Sequence, residues 1–235
     1  MFPKIELAVL SVALLAGACE DALYGNGERA TETRPVADFT RVESAGSVDV
    51  RIEQGEAFGV IVSVDSNVLP ELRTRVVGET LVIDSQRDFE DLVPGPHVFV
   101  TLPALRAASL SGSGALGVAA PQPGQPLALD LSGSGDLLFD GAASDTTVRL
   151  SGSGNVALRG SSDWLDLKLD GSGDINAAEW RAANGRLKLS GSGSIRASLS
   201  SSVEVDLDGS GDVYLYGEPD ILRLSIDGSG ELHQR

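Results

Sequence analysis

The residues best suited to chemistry are acids that flank a recurring Gly-Ser-Gly triplet. Asp170 and Asp174, Asp208 and Asp212, and Asp227 and Glu231 bracket three of these triplets, and Asp136 follows a fourth. Carboxylates gathered in this way offer the hard oxygens that Ca²⁺ takes. The last two bracketed triplets belong to adjacent copies of the motif, so Asp208, Asp212, Asp227 and Glu231 form the expected metal group. Apart from that Ca²⁺, the sequence calls for no cofactor. Paired carboxylates would also serve as general acid and base on a polysaccharide. Against both readings stands the ordinary preference of Asp for turns. Trp164, Trp180, Tyr214 and Tyr216 would supply a surface on which sugar rings stack, or else fill local packing.

Other chemistry is poorly served. The chain of 235 residues carries a formal charge of −16, which repels phosphate backbones and excludes nucleic acid as a partner. One cysteine excludes an internal disulfide and a cysteine-based zinc cluster. Gly112-Ser113-Gly114-Ala115-Leu116-Gly117 satisfies the dinucleotide-binding G-x-G-x-x-G spacing, but Pro121, Pro123 and Pro126 follow where a helix must begin. The triplet serines lack the G-x-S-x-G context of a nucleophile elbow. They read as a ladder of corner hydroxyls. His97 and His233 are expected to be incidental.

The elements that must position these residues follow from the repeat. Gly-Ser-Gly begins at Gly112, Gly133, Gly152, Gly171, Gly191, Gly209 and Gly228, at spacings of 21, 19, 19, 20, 18 and 19 residues. Alternating aliphatics flank each triplet, as in Val205-Asp206-Leu207-Asp208 before and Asp212-Val213-Tyr214-Leu215 after. Period-2 alternation predicts strands with one buried face, and the glycines supply the corner between them. The expected fold is all-β: a right-handed, parallel β-helix-like stack of short coils with Gly-Ser-Gly corners.

Two inward columns follow. Leu131, Leu150, Leu169, Leu189, Leu207 and Ile226 precede the corners. Leu137, Val156, Ile175, Ile195, Val213 and Leu232 follow them. Outward, Asp166, Arg186, Glu204 and Arg223 alternate in sign and would form an ion ladder that fixes register.

The N-terminus reads as an address. Residues 1–18 place Lys4 before an apolar run and end in Ala16-Gly17-Ala18, a signal-peptide layout. Cys19 then stands where a lipoprotein precursor is lipidated. Residues 19–38 are polar and aperiodic and read as a tether to the membrane. The folded part is expected to be a single β-helix-like domain over 39–235, with an irregular β segment at 39–105 and the seven repeats at 106–235. Within the first segment, Asn67 to Leu72 suggests one short helical turn and Asp88 to Pro96 a loop.

Phe39-Thr40-Arg41-Val42, Val48 to Gly55, Val62 to Leu69, Leu81-Val82-Ile83, Val98 to Pro103 and the recurring triplets together resemble the auto-transporter adhesin, head GIN domain, family of bacterial envelope proteins. The resemblance spans roughly residues 38–232. It implies a β-helix-like fold on an exported, often lipid-anchored protein, and brings no catalytic residues with it.

The resulting expectation is a non-catalytic envelope lipoprotein, facing the periplasm or held at the outer membrane. Its partners would be the membrane, through the lipid, and an envelope polysaccharide or protein, met by a rigid acidic β surface. The alternative is a carbohydrate-active enzyme or calcium-dependent glycan binder that uses the corner acids. Short, uniform coils argue against the enzyme, because they leave no long loops to wall a cleft. The last repeat runs to Glu231-Leu232-His233-Gln234-Arg235 without an evident cap, so a homo-oligomer joined end to end is also expected.

Overall fold

The structure is a computed structural model describing residues 22–90 and 92–235. The expected signal peptide and Cys19 lie outside the described residues. The described chain is all β and winds into a solenoid of about seven turns.

Each coil has two arms that meet at a triplet. The arms before the corners stack in parallel and in register, so that Leu110, Leu131, Leu150, Leu169, Leu189, Leu207 and Ile226 form one column. The arms after the corners stack likewise, aligning Leu116, Leu137, Val156, Ile175, Ile195, Val213 and Leu232. Adjacent copies of the motif therefore run in one direction, as the sequence predicts. Below the last coil both columns are fully buried. A fully buried Leu or Ile stabilises by about 1.5–3 kcal/mol, and each coil gains this only from its neighbours.

The corner needs glycine twice. The first glycine of each triplet holds φ between +123° and +140°, a region that side chains avoid. A Cβ on either glycine would collide with the backbone carbonyl of the coil beneath: Gly133 meets Gly112 O, and Gly135 meets Gly114 O. That carbonyl is used. Gly112 O accepts the N–H groups of both Ser134 and Gly135 at 3.0 Å, and the pattern recurs up to Ser229 and Gly230 on Gly209 O. The triplet serines all face solvent. Hydroxyl-to-hydroxyl contact occurs at Ser229 and Ser210, 3.1 Å apart.

The N-terminal segment departs from simple winding. Arg41–Gly46 and Asp49–Gln54 form a coil that lies between the coil of Thr80–Ser85 and His97–Leu102 and the coil of Ala107–Gly112 and Ala115–Pro121. Gly46-Ser47-Val48 is an eighth corner, since Gly46 O accepts the N–H groups of Ser113 and Gly114. Beneath it the chain leaves the stack between Ser85 and His97. The buried Val48 stands where every later corner has glycine.

Antiparallel strands then close this end. Leu72–Val77 covers Thr80–Ser85, Gly59–Asp65 covers His97–Leu102, and Arg29–Thr33 covers Gly59–Asp65. Residues 29–33 are thus the outermost strand and not a free tether. Asn67 to Leu72 makes a hydrogen-bonded turn without a helix.

Candidate ligand-binding face

Three of the corner acids, Asp136, Asp174 and Asp212, accept hydrogen bonds from the next coil. After each corner the outward position carries Asp49, Ala115, Asp136, Asn155, Asp174, Ser194, Asp212 or Glu231 in vertical succession. Asp49 Oδ1 accepts the backbone N–H of Ala115 at 2.9 Å. Asp174 Oδ1 accepts that of Ser194 at 3.0 Å, and Asp212 Oδ1 that of Glu231 at 3.0 Å. Asp136 Oδ1 accepts from Asn155 Nδ2 at 2.9 Å. Each carboxylate ties its own coil to the next.

The four acids expected to hold Ca²⁺ separate into two pairs. Asp208 and Asp227 align on the arm before the corner, while Asp212 and Glu231 stack on the arm after it. Among the described residues, no three His, Cys, Asp or Glu side chains converge to hold a metal ion.

The four aromatics do not form one surface either. Trp180 is fully buried, its ring 5.2 Å from that of Phe139 and its Nε1–H donated to Ser162 Oγ at 3.0 Å. The cause is a bulge: pairing with the next coil jumps from Ala177 to Arg181, and Trp180 turns inward within the unpaired stretch. Trp164 lies on the arm before the corner, half-buried, while Tyr214 and Tyr216 face outward on the arm after it. The Tyr214 ring is already occupied. His233 stacks on it at 4.8 Å, and the guanidinium groups of Arg196 and Arg235 lie over it at 5.2 and 5.3 Å.

A different site emerges one outward position further along the second arms. Ile61, Phe99, Arg51, Gly117 and Leu138 are successive neighbours across five strands. Ile61, Phe99 and Leu138 are exposed. Gly117 has no positive φ, and a Cβ built on it meets nothing within 4 Å. Neither backbone conformation nor crowding requires glycine there, unlike at the corners. Gly117 lines a shallow, open notch of about 280 Å³, together with Phe99, Arg51 and Ala115.

The rim of this notch is polar. Asp49 Oδ2 lies 3.5 Å from His97 Nδ1, and Arg51 Nε donates to Glu53 Oε1 at 2.7 Å. A strand glycine free of structural duty commonly marks close approach by another molecule. An exposed aromatic ring beside a carboxylate and an imidazole suits a ligand with one apolar face and hydroxyl edges. The sequence signal was present in the outward phase of Leu116-Gly117-Val118 and Val98-Phe99-Val100. It was hidden because Arg51, which stands between them, comes from a strand 48 residues before Phe99 and 66 before Gly117.

The fold has close relatives among solved structures. A "putative adhesin" from Bacteroides fragilis NCTC 9343 superposes with a TM-score of 0.80 at 20% identity, covering 91% of this chain and 100% of that one. A "putative lipid binding protein" from Parabacteroides distasonis ATCC 8503 gives 0.72 at 22% identity over 92% and 100%. A "putative adhesin" from Parabacteroides merdae ATCC 43184 gives 0.72 at 18% over 92% and 99%. No curated protein matches the sequence. The family model described as "Putative auto-transporter adhesin, head GIN domain" matches residues 38–219, and the chain belongs to that family.

Proposed function

We propose that this chain is a non-catalytic binding module, exported behind the signal peptide of residues 1–18 and held at the bacterial envelope by lipid on Cys19. Its ligand is a neutral polysaccharide of the envelope or cell surface, met by the sheet face around Gly117. The observation that carries the reading is a solvent-facing glycine that the fold does not need, set beside the exposed Phe99 ring. A pyranose would lay its C–H face on that ring and turn its hydroxyls toward Asp49, His97 and Arg51. The charge of −16 favours a neutral glycan over an anionic one. The adhesin names of the family and of a structurally similar protein agree with a binding role.

Glycan-array binding by the wild type, Gly117→Trp and Phe99→Ala tests the ligand reading. Both substitutions are expected to abolish binding while circular dichroism stays β-rich. Binding that survives both, or a wild type that binds no glycan, overturns it. Palmitate labelling that persists in Cys19→Ser would overturn the anchor.

A further inference from the structure

Four exposed large apolar side chains share one strand, Asp220–Gly228: Ile221 at 38%, Leu222 at 68%, Leu224 at 49% and Ile226 at 45%. Ile221, Leu224 and Ile226 align with Val203, Val205 and Leu207 one coil below, each 1% exposed or less. They are core positions with no coil above them among the described residues. The opposite end of the solenoid is closed by its antiparallel strands, and Leu81, Ile83, Val98 and Val100 beneath them are buried. Among the described residues, one end of the stack is therefore covered and the other is open. A single self-complementary face closes as a two-fold dimer and cannot propagate into a fibre.

The open strand is complementary to itself. About a two-fold axis through Ser225, an antiparallel partner strand sets Arg223 opposite Asp227 of the second copy, and Leu224 opposite its Ile226. Ser225 faces its own equivalent. The Arg223–Asp227 and Leu224–Ile226 matches each occur twice, and inward residues stay inward. Arg223 and Asp227 make no ion pair among the described residues. Glu204, aligned with Arg223, is taken by Arg186 at 3.0 Å. Two opposite unpaired charges thus stand at the spacing a second copy would satisfy.

We infer that the chain forms a tail-to-tail dimer through Asp220–Gly228, in the antiparallel register centred on Ser225. The inference goes beyond the glycan reading and does not depend on it. A monomer would leave the Gly117 notch intact, and failure of glycan binding would leave this strand intact.

Sedimentation equilibrium of the full chain carrying Cys19→Ser, which removes the lipid, tests it. A concentration-dependent dimer with no larger species is expected. Arg223→Asp or Asp227→Arg each place two like-charge pairs in register and should weaken the dimer about tenfold, and the double exchange should restore it. Leu224→Lys, at an already exposed site, should give a folded monomer by circular dichroism. A monomer at every concentration, higher oligomers, or a dimer indifferent to the charge exchanges would each overturn the inference.

Discussion

Asp174 Oδ1 accepts the backbone N–H of Ser194, one coil further on, at 3.0 Å, and it also accepts the Ser194 hydroxyl. A carboxylate that a sequence reader assigns to metal or proton chemistry is thus spent on holding two coils together. A bond from an amide to a charged acceptor contributes about 1.5–3 kcal/mol. Asp174→Ala is expected to lose about that much, seen as a lower urea midpoint with an unchanged slope. Added Ca²⁺ or EDTA should leave the midpoint of the wild type where it was.

Among the described residues, two fully buried core positions carry hydroxyls with no protein partner. Thr146 aligns with Leu127 and Leu165, and Ser44 with Leu110 and Ile83, so both occupy aliphatic columns. Burying an unpartnered hydroxyl costs about 1–3 kcal/mol on mutational scales. Thr146→Val and Ser44→Ala are therefore expected to raise stability, by about 1 kcal/mol for Thr146→Val, which keeps the volume. Chemical denaturation measures both. A drop in stability for Thr146→Val would show that the hydroxyl has a partner after all.

Asp84 ties the edge strand Leu72–Val77 to the stack through Arg73 at 2.8 Å and Arg75 at 2.7 Å. Burial pushes its carboxyl up, but the two guanidinium groups outweigh burial and hold it below the ordinary 3.8. A folded value below the unfolded one means stability that is present in full above the unfolded value and lost as pH falls through the folded one. Asp84→Asn should cost about 1 kcal/mol at pH 7. The gap to wild type should close as pH falls below the folded-state value. A constant gap from pH 7 to the acid limit would remove the electrostatic account.

What the sequence made legible was whatever recurs. Seven corners, two aliphatic columns and the register Asp166, Arg186, Glu204, Arg223 all lie as the period predicts, although close contact in that ladder is confined to Arg186 and Glu204. What stayed hidden does not recur. The Gly46 corner has Val48 in place of its second glycine. The insertion of Arg41–Gln54 between two later coils depends on pairings over fifty residues, which leave no local trace. Arg29–Thr33 is nearly all exposed, so no alternation announces it. Trp180 points inward, one of the two placements its sequence left open, because a bulge reverses the inside–outside phase of its strand there. The Gly117 notch was missed for a related reason: its walls come from separate coils, and only the stacking brings them together.

Gly133 and Gly117 look alike in the sequence but differ in what the fold asks of them. Gly133 holds φ at +123°, and a Cβ there would strike the Gly112 carbonyl, which is itself bonded to two N–H groups. Gly133→Ala has to pay for strain and for displacing the coil below, so a loss above about 3 kcal/mol is expected. Gly117→Ala meets open space and an ordinary strand conformation. Because alanine loses less backbone entropy than glycine on folding, it should stabilise by about 0.5–1 kcal/mol. Thermal unfolding of the two variants side by side decides the matter. If Gly117→Ala destabilised as Gly133→Ala does, glycine at 117 would be a requirement of the fold, and the claim that the notch is kept open for a ligand would lose its basis.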